Sequence, residues 1–126
     1  MNPYEEFQSM VTAKQETVMK FIITFQDKLR ERLGTTNVYC PQEDSEIIDG
    51  NLETQLVIMF HGDINIRTLY YKFDITVKPI SKNKIIMVID RKRIEIDFNH
   101  ECITESFTSA LEQTEQLIRN KIGFTL

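Results

Sequence analysis

The chain has 126 residues, of which 41% are hydrophobic and 27% charged, and its formal net charge is −4. This length and composition are typical of one globular domain, and the scarcity of Gly and Pro excludes long low-complexity segments. No apolar run approaches the roughly 20 residues that a membrane span needs. The first residues also lack the order of a signal peptide, so we expect no membrane association.

Residue types that carry catalysis or bind metals are scarce. The only histidines, His61 and His100, lie in no catalytic motif, and the isolated glycines form no phosphate-binding loop. Cys40 and Cys102 are too few for a disulfide scaffold. We therefore expect free, buried thiols, a cytoplasmic protein, and no catalytic residue, metal or cofactor.

Charge is sorted by segment along the chain. Residues 35–66 hold six acidic residues and no Lys or Arg, and most of these acids fall in a predicted loop at 41–51. Residues 67–93 hold eight basic residues against two acids. A locally basic stretch inside an acidic protein steers partners more than the net charge does.

The first predicted element is a long helix over residues 3–33. Its apolar residues recur at steps of three, four or seven, which is one helical face, and Gly34 ends it. At 1.5 Å per residue this helix is roughly 46 Å long, whereas a domain of this size is roughly 35 Å across. We therefore predict that the helix bends, breaks near Lys14–Thr17, or packs against a second copy.

Residues 52–98 show the patterns of β-strands. Apolar and polar side chains alternate over 52–61 and, more regularly, over 67–79. Residues 85–89 form a continuous apolar run, typical of a central strand, and alternation returns at 93–98. We expect an antiparallel sheet of three to five strands.

A closing helix is predicted over residues 100–122. Asn99 is a suitable N-cap, and Phe98 and Ile103 have the spacing of a hydrophobic staple. The order of helix, strands and helix predicts an α+β fold in a single domain, 1–126, with the second helix packed on the sheet.

In outline, this order resembles RWD-like domains, small interaction modules that dimerise through a helix. The overhang of the long helix, the segregated charge and the missing catalytic groups predict a non-enzymatic protein-interaction module, of the adaptor, immunity or inhibitor type, that forms a homodimer through the long helix. The candidate dimer residues are those of its apolar face: Phe7, Val11, Val18, Ile22, Phe25 and Leu29.

One face of the predicted sheet combines apolar, aromatic and basic side chains, a composition typical of protein-binding patches. We expect this face to bind a partner with an acidic surface. The alternative is that the long N-terminal helix covers part of it. Nucleic acid is a possible but less favoured partner, because the pI is about 5.2. The candidate binding residues are Val57, Met59, Tyr70, Lys72, Asp74 and Lys78.

Two alternative functions depend on other residues. Asp74 followed by Asp90-Arg91-Lys92 is similar to the PD-(D/E)xK nuclease motif, although no Pro precedes Asp74 and the spacer is Arg. That resemblance implies Mg²⁺-dependent hydrolysis with Asp74 and Asp90 holding the metal and Lys92 steadying the water. The same residues also fit a charged hairpin turn.

The third hypothesis is a small-ligand module. Its pocket would lie between the sheet and the helices. The candidate lining residues are Tyr71, Phe73 and Phe107.

Overall fold

Two helices cover one face of a six-stranded antiparallel sheet, which confirms the predicted α+β fold with one strand above the expected range. The computed structural model describes residues 3–34, 37–60, 69–81, 83–99 and 102–122, without the side chains of 4, 6–14, 42, 60, 69, 70 and 122. The elements are α1 (Pro3–Leu33), β1 (Asn37–Tyr39), a 3₁₀ turn (Gln42–Asp44), β2 (Glu46–Ile48), β3 (Asn51–Phe60), β4 (Leu69–Ser81), β5 (Lys84–Ile89), β6 (Lys92–Asp97) and α2 (Glu105–Ile122).

The strands follow the order β1-β3-β4-β5-β6, and β2 also pairs with β3. Two tight turns fix this topology. Asp49 and Gly50 join β2 to β3, and Asp90 and Arg91 join β5 to β6, all with positive φ between 49° and 81°. Two-residue hairpin loops with both φ values positive match the right-handed twist of the flanking strands. The sequence DRKR is therefore a charged hairpin turn, as one of the two interpretations predicted.

The core lies between the sheet and both helices. α1 packs against β1, β3 and β4, α2 packs against β6, and the two helices contact each other. At its centre the ring of Phe21 lies 5.5 Å from those of Phe25 and Phe98, and 5.8 Å from that of Phe107, measured between centroids. Such aromatic pairs add about 0.5–1.5 kcal/mol each beyond the area that they bury.

α1 runs unbroken over 31 residues, so the predicted break near Lys14–Thr17 does not occur. Every third or fourth side chain from Thr17 to Leu29 is buried against the sheet. The helical face predicted from the apolar spacing is therefore the core face in this part of α1.

An ion-pair cluster joins the ends of the two helices. One carboxylate oxygen of Glu115 lies 2.9 Å from Nε of Arg32, and the other lies 2.9 Å from an Nη of Arg119. The hydrogen bond from Arg119 has the largest effect and lowers the pKa of the Glu115 carboxyl. The hydrogen bond and the charge of Arg32 lower this pKa further, whereas burial raises it. This cluster connects α1 to α2 at the surface.

Three sequence predictions are corrected here. α2 begins at Glu105, not at 100, because the Thr104 hydroxyl accepts the N–H of Phe107 at 3.2 Å and so caps the helix. Ile103 precedes the helix and is 47% exposed, which removes the expected staple with Phe98. Cys102 is also exposed rather than buried, while Cys40 is half-buried.

Candidate interaction surface

The sheet face that points away from both helices is called the outer face below. Side chains alternate along each strand, and the core-facing set includes Leu56 on β3 and Phe73 on β4. Their neighbours in sequence therefore point outward. The outer-face side chains of β3 to β6 include Asn51, Glu53, Gln55, Val57, Met59, Lys72, Asp74, Thr76, Lys78, Lys84, Ile86, Val88, Arg93, Glu95 and Asp97.

The outer face contains the predicted binding residues whose side chains are described. Lys72, Asp74 and Lys78 are exposed, whereas Val57 is only 2% exposed and Met59 is half-buried. Val57 is covered although it points away from the core, because it lies between Tyr39 and Lys72 on the neighbouring strands. Tyr70 pairs with Met59 in the backbone ladder, and its side chain lies outside the described set.

Two apolar side chains of β5, Ile86 and Val88, lie at the centre of the outer face. Thr76 on β4 lies opposite Val88 on β5, and on the next row Lys78 lies opposite Ile86. Ile86 is only 6% exposed, although its side chain points to the outer face and away from the core. Neighbouring long side chains cover it, including Glu95 of β6, its partner across the ladder.

The outer face carries both signs of charge. Along β4 the order is Lys72, Asp74 and Lys78, and Asp74 accepts a hydrogen bond from Gln55 at 3.2 Å. Arg93 and Glu95 then alternate along β6, with their closest charged atoms 3.9 Å apart. The sheet face that was expected to be basic and aromatic therefore carries both signs of charge.

Part of the acidic segment lies beside this face. Glu43 and Asp44 border a depression of about 450 Å³ that Val57 and Lys72 also line. Folding thus brings acids from the 41–51 segment next to a base of β4. Opposite charges that are far apart in sequence become neighbours.

The residues of the nuclease hypothesis do not all lie on one side of the sheet. Asp90 is in the β5–β6 turn, and its N–H donates to the backbone carbonyl of Asp74 at 3.3 Å. The Asp74 side chain, however, points to the outer face, whereas Lys92 pairs with buried Ile89 and shares the helix-covered side. Asp74 and Lys92 therefore project from opposite sides and cannot steady one water between them.

Among the described residues, no group of three or more His, Cys, Asp or Glu side chains has the arrangement of a metal site. His61 and His100 are outside the described part of the chain. No helix in the described residues is both long and apolar enough to cross a membrane.

Four of the predicted dimer residues serve the core of their own chain. Val18, Phe25 and Leu29 are completely buried, and Ile22 is 3% exposed. The side chains of the remaining two candidates, Phe7 and Val11, lie outside the described set. Contacts between two copies of α1 would therefore have to use other side chains, such as the exposed Met19 and Ile23.

An apolar groove lies where α1 passes the β2–β3 hairpin, with a cavity of about 370 Å³. Met19 and Ile23 of α1 and Ile47 of β2 are its exposed apolar residues, at 46%, 56% and 39% exposure. The Cys40 thiol also lines it, and burial raises the pKa of this thiol to about 11. Sequence periodicity missed this groove because β2 was not predicted.

The residues predicted to line a ligand pocket are packed instead. Phe73 and Phe107 are 2% and 1% exposed and belong to the core, and Tyr71 packs against it. The groove beside β2 is lined by other residues. A small-ligand hypothesis must therefore use the groove residues.

Comparisons with known proteins were made at the level of families, sequences and structures. No family model matches the chain, and no curated protein or solved structure matches it significantly. The functional argument therefore depends on the geometry of this chain alone.

Proposed function

We propose that the chain is a non-enzymatic protein-interaction module whose binding surface is the outer face of the sheet. One observation carries this proposal. Both helices pack on the same side, so the other side presents half-buried Thr76 and Val88, next to buried Ile86, between charged side chains of both signs. An apolar centre with a charged rim is the usual anatomy of a protein interface.

The mixed charge defines the kind of partner. Lys72 and Lys78 favour acidic groups, and Asp74 between them favours a basic one. The partner surface should therefore carry alternating charges rather than be uniformly acidic, since complementary patterns suppress wrong partners and set the register.

The test compares two double charge reversals. Lys72→Glu with Lys78→Glu changes the outer face, and Lys20→Glu with Lys28→Glu makes the same change in net charge on α1, at one exposed and one half-buried position. Tagged wild-type and variant chains are used to isolate partners from the native host. The proposal expects a partner with the wild type and the α1 variant and none with the outer-face variant.

Circular dichroism checks that both variants fold. If the outer-face variant is folded and keeps the same partner, the outer face is not the binding surface. If the α1 variant alone loses the partner, binding uses the helix.

The groove beside β2 supports a second candidate function, the binding of a small apolar molecule. Its volume of about 370 Å³ lies within the roughly 300–1,000 Å³ of ligand pockets. An apolar fluorescent dye, anilinonaphthalene sulfonate, is the probe. Binding should be lost in Ile23→Glu and kept in Ile103→Glu, since Ile103 is an isoleucine of similar exposure away from the groove. Equal dye binding by both variants would exclude the groove.

A further inference from the structure

β6 lies at one end of the strand order, and no other described strand pairs with its second side. The direction of its backbone groups follows from two contacts. Lys92 and Ile89 close the two-residue turn, and the Phe98 N–H donates to the Asn83 carbonyl at 2.9 Å. Even-numbered residues of β6 therefore bond to β5, because the groups of an antiparallel strand alternate in direction.

The odd-numbered residues of β6 consequently direct their N–H and C=O groups toward the open edge. Those of Asp97 already have partners, since its N–H donates to Ser106 Oγ at 2.7 Å and its carbonyl accepts the Thr104 hydroxyl. The edge therefore presents the backbone groups of Arg93 and Glu95. The unpaired N–H and C=O groups of these two residues are a template for pairing with another strand.

We propose that a second copy of this chain pairs with this edge, β6 antiparallel to β6, with Arg93 opposite the partner's Glu95. A two-fold axis through Ile94 then makes two such pairs. Each is a hydrogen-bonded pair that exchanges both backbone bonds, so the contact has about four N–H···O=C bonds. Each pair also places a guanidinium beside a carboxylate on the outer face.

Charge selects this register over its neighbours. A shift of the partner strand by two residues in one direction places Glu95 opposite the partner's Glu95. It also places Arg93 opposite the partner's Asp97, whose backbone groups already have partners, so this register keeps only one of the two hydrogen-bonded pairs. The same shift in the other direction places Arg93 opposite the partner's Arg93. Like charges directly opposite each other are unfavourable. A shift by one residue would turn the buried side of one strand to the outer face of the other.

The alternating signs on β6 also differ from the usual protection of an edge strand. Lysines on an edge prevent pairing because two copies repel each other. On β6, Arg93 and Glu95 have side chains that are 66% and 62% exposed, and their antiparallel copies attract. The dimer would join two outer faces into one continuous sheet, and it does not depend on the binding function proposed above.

Charge exchange at these two positions tests the register. Arg93→Glu alone places carboxylates opposite carboxylates, and Glu95→Arg alone places guanidinium groups opposite each other. Each should raise the dissociation constant of the dimer at least about tenfold. The double variant R93E/E95R and an equimolar mixture of the two single variants both regain opposite charges and should dimerise.

Analytical ultracentrifugation at low salt, up to about 1 mM protein, measures the mass as a function of concentration. The control is Lys20→Glu, which carries the same charge change as R93E on an exposed helix position and should dimerise like the wild type. A monomeric wild type at every concentration overturns the proposal. So does a dimer that persists in both single variants, or a mixture of the two that stays monomeric.

Discussion

Replacing Glu115 by Gln tests the ion-pair cluster between the two helices. The substitution keeps the shape of the side chain and removes the charge that meets Arg32 and Arg119 at 2.9 Å each. The side chain of Glu115 is 16% exposed, while those of Arg32 and Arg119 are 35% and 57% exposed. Because solvent screens both partners, we expect a loss of about 1–2 kcal/mol in the free energy of unfolding near pH 7.

The pH dependence of this loss has a defined sign. The folded pKa of Glu115 lies below its ordinary value of 4.5, so the unfolded state binds the proton more readily. The contribution is fully present above the unfolded pKa and is lost as pH falls through the lower, folded pKa. Wild type and E115Q should therefore converge in stability as the pH falls below the folded pKa of Glu115.

Urea unfolding at a series of pH values measures the difference, with Glu112→Gln as the matched control. Glu112 lies 4.0 Å from Arg32 and is 62% exposed, so its replacement should cost less than about 0.5 kcal/mol. A loss in E115Q that is equal at neutral and acidic pH would refute the electrostatic explanation. Equal losses in both variants would show that Glu115 has no special role.

Four further predictions concern single positions. Thr104→Ala should destabilise the protein by about 1 kcal/mol in urea unfolding through loss of the α2 cap, and an unchanged midpoint would contradict the assigned helix start. Thr114→Val should stabilise by about 1 kcal/mol, since this completely buried hydroxyl has no hydrogen-bond partner among the described residues; a lower melting temperature would indicate such a partner. Arg91→Gly should stabilise by up to about 1 kcal/mol, because Arg91 has a φ of 70°; destabilisation in thermal unfolding would argue against this turn. An aromatic disulfide reagent near neutral pH should modify exposed Cys102 at least about ten times faster than Cys40, whose pKa is raised to about 11; equal rates would contradict the burial of Cys40.

Periodicity predicted the long elements because burial on one face sets their spacing. α1 and the strands β3 to β6 follow the apolar pattern closely. β2 was missed because three residues are too short to show a period. Its signal was the dipeptide Asp49-Gly50, which favours a two-residue hairpin turn and thereby places Glu46–Ile48 against β3.

The start of α2 shows a different limit. Asn99 and Thr104 are both acceptable caps by residue type, and the sequence pattern predicted Asn99. Tertiary contacts decide the position. Thr104 also donates to Asp97 at the end of β6, so the strand end determines where the helix begins.

The candidate site was predicted in composition but not in charge. Alternation placed Lys72, Asp74 and Lys78 on one face, and the register agrees. The outer face is not predominantly basic, although the run of bases at 67–93 had predicted a basic face. Pairing of antiparallel strands brings distant segments of both charges together on one face. Glu43 and Asp44 of the acidic loop now border the same depression as Lys72.

The central claim is that the outer face binds another protein, and photo-crosslinking tests it most directly. A photoreactive amino acid is placed at Thr76, in the middle of the outer face, or at Ser109, an exposed position on α2. Irradiation in the native host should give an adduct larger than the chain from the Thr76 position and none from Ser109. An adduct from Ser109 alone, or none from either position, would contradict the claim.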